Sequence, residues 1–414
     1  MVGGSAQASA KTSHHHAKTV TITFANWAAA ETATEPGISK LISEFEATHK
    51  NIKVNSLPVS FTTIGHQLVL EEQSGNLPDV AEISGNTTFA LAATGAVASL
   101  KHYLTKHVKH EYLASEFPLS TYKGQVIALP WTVNPPGLWY NKTLMKGAGL
   151  NPNDPPKTMS QLLSDCAAIH AKYPTDIPLG LDTTSRSFAL SADWPWMKAF
   201  GAQPFKGTTA TADTKGMKSY LSFMRELAKK GYIVPDQKIG AFRPQAALNE
   251  VAFDWDQPVL QGVVQSDNHE STAQFFANWG VTTLPTKTAK SKSYSVELGH
   301  QLIMFKSSKH QKQDFTFMNW LASNTTAVIQ YTVPYESSLP ALAHPTSAII
   351  TAIKTPVLNS FLNTVLPTET KLPYGPSFSN AYSPIMAGVE SAITSTTSIT
   401  TIASTIQSGL QTAL

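Results

Sequence analysis

The chain has 414 residues, 42% of them hydrophobic, more than one compact core ordinarily takes, so two or three domains are expected. Charged residues make up only 14% and the formal net charge is +3. Arginine is confined to Arg186, Arg225 and Arg243, so the clustered guanidinia of a nucleic-acid binder are missing and no such partner is expected. The single cysteine, Cys166, excludes an internal disulfide and a cysteine-based metal cluster.

Met1 to Lys18 is small and polar, without the apolar core of a signal peptide. It reads as a flexible tail (1–18); His14, His15 and His16 are tag-like there, since no further ligands surround them. An exported form is expected to have lost its signal segment. Thr19 to Phe24 alternates and is β-branched, which predicts a first strand. Pro36-Gly37 opens a helix whose Ile38, Leu41, Ile42 and Phe45 share one face. Asn51–Asn55 reads as a second strand, Ile64–Gln73 as an amphipathic helix stopped by Gly75, and Val80–Ile83 as a third strand. Thr87–Ala93 completes the pattern as a helix ending at Gly95. This alternation predicts a mostly parallel sheet covered on both faces.

Gln125–Pro130 is expected as another strand, followed by Trp131–Gly137, whose two prolines fix an extended path suited to crossing between domains. Leu138–Asn141 resumes as a strand, and Thr158-Met159-Ser160-Gln161-Leu162 starts, with a Ser or Thr cap, the helix that carries Cys166 inward. Met217–Lys230 reads as a helix and Val251–Asp256 as a buried strand. Trp279–Pro285 is expected as a second crossing, Asp314–Ala322 as a helix, and Ser391–Leu414 as helical throughout. His102, His107 and His110 alternate with lysines and read as a solvated face rather than metal ligands.

Enzyme signatures are absent: no nucleophile elbow, paired zinc histidines or P-loop occurs. Asp254 and Asp256 resemble a glycosidase pair only superficially, because working carboxylates come from different elements across a cleft. No catalytic role, cofactor or metal is expected. Trp27, Trp131, Trp194 and Trp255 stand near strand ends or proline breaks, where an indole offers a flat face and an N–H. Asn26, Ser84, Asn86, Asn134 and Asp256 offer polar partners nearby, a combination that suits the faces and hydroxyl edges of a sugar. The bland alternative for each tryptophan is core.

The order of these pieces resembles the carbohydrate-type solute-binding proteins of ABC importers. The resemblance is carried by the run from Ile22 to Val54, Gly75-Asn76-Leu77-Pro78-Asp79-Val80, Leu129-Pro130-Trp131 with Leu138-Trp139-Tyr140-Asn141, Gly299-His300 before Leu302–Lys309, and Leu339-Pro340. It implies a two-lobed periplasmic-binding-protein-like α/β fold with three hinge crossings. Lobe 1 would take 19–134 plus 283–323, and lobe 2 would take 135–282 plus 324–414. The cleft would bind a mono- or oligosaccharide by hinge closure, and a monomeric, extracytoplasmic receptor would deliver it to a membrane permease. Motif positions imply ligand contacts from Asn26, Trp27, Ser84, Gly85, Asn86, Trp131 and Asn134 in the first lobe. From the second they imply Asp193, Trp194, Trp255 and Asp256, with Glu297, His300 and Tyr382 last. Departures from the pattern, such as Gln257-Pro258-Val259 without the usual tryptophan, bear on ligand length. Other solutes (a glycerol phosphodiester, a polyamine, iron) and a glycoside-active enzyme stay open as alternatives.

Overall fold

The computed structural model describes residues 18–414, so the His14–His16 triplet and the rest of the expected tail before Lys18 lie outside the described residues. In chain order the main elements are β1 (Val20–Asn26), α1 (Glu35–Thr48), β2 (Ile52–Pro58), α2 (Ile64–Ser74), β3 (Val80–Ser84) and α3 (Gly85–Thr94). They are followed by β4 (Leu129–Pro130), β5 (Gly137–Asn141), α4 (Met159–Lys172), β6 (Ile177–Gly180), α5 (Ser187–Ala199) and α6 (Lys215–Lys229). Then come β7 (Val251–Asp256), β8 (Trp279–Thr282), β9 (His300–Met304), α7 (Gln311–Ser323), α8 (Pro376–Thr394) and α9 (Ile399–Ala413).

Two sheets make two lobes. The first runs β2-β1-β3-β9-β4 and the second β8-β5-β7-β6. Strand periodicity puts neighbouring residues on opposite faces. Ile22, Phe24, Leu302 and Met304 thus join α1 and α7 in one core, while Ala25, Ala81, Ile303 and Phe305 face α2 and α3 in another. The apolar stripe of α1 packs as its spacing dictates, with Ile38, Leu41, Ile42 and Phe45 buried. In the second lobe Leu138, Leu179 and Trp255 belong to the core shared with α4, α6, α8 and α9, and Trp139 and Val251 to the core behind.

The sheets are mixed rather than mostly parallel. β1 runs parallel to β2 and β3, but β9 returns antiparallel between β3 and β4. In the second sheet only β7 and β6 are parallel; β5 is antiparallel to both β7 and β8. Strands that enter from the other lobe arrive without a crossover helix, and nothing then compels the parallel sense.

Three other local expectations change. Gln125–Pro130 is not one strand but two pairs of residues, Gln125–Val126 and Leu129–Pro130, in different sheets. The terminal helix is interrupted between Thr394 and Ile399, where Ser398 caps α9 by accepting from the Thr401 N–H. The lobe boundaries also move. Ala327, Val328, Tyr331 and Ile349 pack with Ile38 and Phe45 in the first lobe, whereas Leu284, Val296 and Leu298 join the core of the second.

Three segments tie the lobes. The chain passes from β4 to β5 through Trp131–Pro136, returns from β8 to β9 through 283–299, and passes Leu339-Pro340, which pairs with Thr132-Val133. Glu297 knits the first two together, accepting the Asn134 N–H at 3.0 Å and the Gly299 N–H.

Candidate functional site

β1 and β3 end, and β9 begins, at the seam between the lobes, and these terminal residues build the first-lobe wall. After β1 the chain turns sharply because Asn26 spends its amide on it. Its Nδ2 donates to Phe24 O at 3.0 Å and Ser56 Oγ at 2.9 Å, and its Oδ1 accepts from Ala29 N at 2.8 Å. Trp27 follows, its backbone N–H and that of Ala28 both donating to Glu82 Oε2 on β3, at 3.1 and 3.3 Å. The indole lies edge-on to Phe61 (5.2 Å) and His300 (4.9 Å).

Beneath Trp27 sits a buried polar cluster. His300 Nδ1 is 2.9 Å from Glu82 Oε1 and 3.6 Å from Glu336 Oε2, and Tyr331 donates its hydroxyl to Glu336 Oε1 at 2.6 Å. Burial pushes the Glu82 carboxyl up to about 7. For His300 burial works against the charge, but the Glu336 and Glu82 carboxylates outweigh it and hold the imidazole above its ordinary value. Trp131 stacks on Tyr331 at 5.7 Å beside this cluster, its indole nitrogen buried with no hydrogen-bond partner among the described residues.

The second lobe answers with cations. Arg243 grips Asp256, Nε to Oδ2 at 2.7 Å and Nη2 to Oδ1 at 2.9 Å. Arg186 Nη2 reaches Asp182 Oδ2 at 3.2 Å. Lys238 lies close enough to Glu31, Arg243 and Arg186 to feel their charges, and desolvation lowers its pKa first. Glu31, on the loop after β1, keeps solvent access, yet the surrounding protein disfavours its charge, and with Glu336 this raises its carboxyl. Arg243, Lys238 and His300 oppose that rise, so groups of both lobes meet in one electrostatic neighbourhood.

A cavity of about 380 Å³ opens between the lobes, inside the usual range for small-molecule sites. The first lobe lines it with Phe61, Thr62, His66, Ser84 and Thr87, and the second with Ser185, Arg186, Phe188, Ser379 and Tyr382. Phe61 and Phe188 touch edge-on at 5.1 Å across the seam. Beside it, Gly85 is approached so closely by Tyr374 that a Cβ there would lie 2.9 Å from the ring.

Of the residues expected from the sequence, Ser84 and Tyr382 line this cavity, and Trp27 joins it through Phe61. Gly85, Glu297 and His300 line a smaller neighbouring hollow with Tyr374. Asn134 lies in the adjoining crossing, buried, its Oδ1 with no partner among the described residues, and Asn86 stands in the first turn of α3, its side chain outside the described residues. Asp193, Trp194 and Trp255 are not brought to these hollows. Trp194 stands inside α5 rather than at a strand end and packs on Phe205. Asp193 accepts the Tyr220 hydroxyl at 3.1 Å, and Trp255 donates to Ala192 O at 3.0 Å in the lobe interior. Asp256 is fully taken by Arg243 and by the Gln257 N–H, and Asn26 by its own turn. Glu31, Phe61, Arg186, Phe188, Lys238 and Arg243 were missed. Two of these are among only three arginines in a lysine-rich chain, and that rarity was the available signal.

The fold and much of the sequence have known counterparts. Over 95% of its length the chain superposes on an ABC transporter solute-binding protein of Thermotoga lettingae TMO solved with α-D-tagatose, with TM-score 0.80, 22% identity and 100% of that chain covered. It superposes likewise on maltose-bound MalE3 of T. maritima, with TM-score 0.82, 18% identity and 95% and 100% coverage. In sequence it is 23% identical over 306 residues to the binding protein YcjN of Escherichia coli (strain K12), covering 68% of this chain and 67% of that one. The model of the bacterial extracellular solute-binding proteins matches residues 28–328, and the chain belongs to that family.

Proposed function

We propose that this chain is the substrate-binding component of an ABC sugar importer. It takes up a mono- or oligosaccharide between its lobes, closes about the hinge, and presents the loaded form to a membrane permease. The reading places it outside the cytoplasm, as a monomer, with no turnover of its ligand, no cofactor and no nucleic-acid partner.

The observation that carries it is the composition of the seam. Hydroxyls and aromatic rings are contributed by both lobes to one cavity: Phe61, Thr62 and Thr87 from one side, Phe188, Ser379 and Tyr382 from the other. A sugar needs many weak hydrogen bonds around its edge and an apolar face for its ring. A wall split between lobes makes binding favour closure, because only the closed form offers both halves. The kinship with sugar-bound solute-binding proteins points the same way.

Thermal unfolding against a panel of mono- and oligosaccharides tests the reading. A micromolar ligand at millimolar concentration stabilises the folded state by roughly 4 kcal/mol, a rise in Tm that is easily resolved. A response to phosphodiesters, polyamines or iron with no response to any sugar overturns it.

A further inference from the structure

Three acids from three parts of the chain meet at the hinge. Glu297 belongs to the crossing between β8 and β9, Glu116 precedes Phe117 of the first-lobe core, and Glu369 lies just before Leu372 of the second-lobe core. Glu116 and Glu297 line one hollow together with Gly85, Thr132, Gln301 and Tyr374. Glu369 is tied to the same crossing, where the Ser295 N–H donates to Thr368 O at 3.0 Å and the Thr370 N–H to Ser295 O at 2.8 Å. Glu116 is 5% exposed and Glu297 9%. No lysine or arginine lines the hollow among the described residues.

The hydrogen bonding around these acids is short of donors. Glu297 Oε1 takes two backbone N–H groups, from Asn134 at 3.0 Å and from Gly299. Glu297 Oε2 and Glu369 Oε1 are buried with no N–H or O–H to serve them among the described residues. Side-chain donors nearby are engaged elsewhere. Asn134 Nδ2 donates to Thr132 Oγ1 at 3.2 Å, Gln301 Nε2 to Leu119 O at 2.9 Å, and the Tyr374 hydroxyl to Ser191 Oγ at 3.2 Å. His300, the remaining titratable group on the wall, is turned to Glu82 and Glu336. Yet the Glu297 and Glu369 carboxyls adjoin closely enough to hydrogen-bond each other, which requires a proton on one of them. Burial, with Glu116 and Glu369 adding to it, pushes the Glu297 carboxyl well above the usual carboxylate range. Burial and Glu116 push Glu369 up to about 8, and burial raises Glu116 as well.

Building on the reading of the chain as a hinge-closing receptor, we propose that Glu116, Glu297 and Glu369 form a proton-operated brace at the hinge: protonated, it joins both lobes to the crossing, and ionised, it drives them apart. Rotation about the hinge carries Glu116 with one lobe and Glu369 with the other, so opening separates like charges and lets water reach them. The arrangement in which Phe61 touches Phe188 raises these carboxyls above their ordinary 4.5. It is therefore favoured fully at acid pH and loses that support as pH climbs, through about 8 for Glu369. A ligand held between the lobes is bound more tightly in acid surroundings and released more readily in alkaline ones.

Small-angle scattering of the ligand-free full chain, taken between about pH 5 and about pH 9 at fixed ionic strength, tests the brace. The radius of gyration is expected to rise with pH while circular dichroism shows the fold intact. For each proton that opening releases, the open-to-closed ratio grows by up to about tenfold per pH unit. Glu82→Gln, which silences the separate acid beneath Trp27, keeps the rise. Glu369→Gln weakens it, and E116Q combined with E369Q abolishes it. A flat wild-type profile, an undiminished rise in the double variant, or loss of the rise in E82Q overturns the brace. Should the double variant not fold, an undiminished rise in E369Q alone does so. A flat profile beside a sugar response in thermal unfolding overturns the brace and leaves the sugar reading standing. A full rise beside silence to every sugar does the reverse.

Discussion

Arg243 and Asp256 form a two-point fork, 2.7 and 2.9 Å, at the end of β7, with the carboxylate fully buried and the guanidinium mostly so. Burial and the charge of Asp256, two residues on, hold the Asp254 carboxyl well above the ordinary range, while Arg243 opposes the rise. The Arg243–Asp256 pair is a structural anchor for the second-lobe wall, one charge balancing one charge. Removing only the cation strands a buried carboxylate. Arg243→Met is therefore expected to cost on the order of 3–5 kcal/mol in urea unfolding, whereas R243M combined with D256L recovers most of it. A loss under about 1 kcal/mol for the single variant contradicts this account.

The Glu82–His300 cluster predicts a pH dependence with a definite sign. Glu82 rises from 4.5 to about 7 on folding, so the folded chain holds that proton more tightly than the unfolded one. The stability it contributes is complete below pH 4.5 and disappears as pH climbs through about 7. His300, raised above 6.5, adds loss of the same sign at higher pH. Glu82→Gln cannot titrate. Wild-type stability relative to E82Q is expected to fall by on the order of 1–3 kcal/mol between the two ends of that window. Parallel pH profiles for the two proteins refute it.

Gly85 opens α3 and faces the Tyr374 ring of the other lobe, with no room for a methyl group. Alanine there does not harm the helix itself, since it is the better helix former. Its Cβ instead props the lobes apart. Gly85→Ala is expected to leave the melting temperature of the free protein near wild type. Ligand affinity should drop by about 1–2 kcal/mol, roughly five- to thirtyfold in Kd. The liganded form should also show a larger radius of gyration by small-angle scattering. Unchanged affinity in G85A means that Tyr374 yields and the contact does not limit closure.

Cys166 lies on the buried face of α4, where desolvation raises its thiol far above the ordinary value. The native protein is expected to be inert to Ellman's reagent at pH 8 and to release one equivalent of thionitrobenzoate once unfolded in guanidinium. Rapid reaction of the native form contradicts the packing of α4.

Much of the fold was legible because local pattern dictates local structure. The spacing of Ile38, Leu41, Ile42 and Phe45 specified α1, and the Thr158–Ser160 stretch announced the start of α4, where Thr158 is the residue that accepts from the Gln161 N–H. Pairing sense was not legible: β9 and β5 come from chain that has just left the other lobe, and strand composition does not encode direction. The site divides along the same line. Trp27 follows a strand that ends at the seam, so a rule about strand ends located it. Trp194 and Trp255 obeyed similar cues of composition but are packed by α6, α8 and Phe205, partners far away in sequence. Asn26 and Asp256 looked like free polar groups because the atoms that satisfy them, Ser56 Oγ and the Arg243 fork, come from other elements. The cations at the seam escaped notice for the converse reason, since Arg186 and Lys238 sit in loops with no pattern of their own.

The edge-to-face contacts that run from Trp27 to Phe61 and on to Phe188 have an optical consequence. Separation of Phe61 from Phe188 uncovers one side of this short ladder and lets water approach the indole. Emission from Trp27 then moves to longer wavelength, and docking of the rings reverses it. Trp27 is thus a built-in fluorescent gauge of how far the halves stand apart, read as the difference between the native protein and a Trp27→Phe variant that keeps the other seven tryptophans.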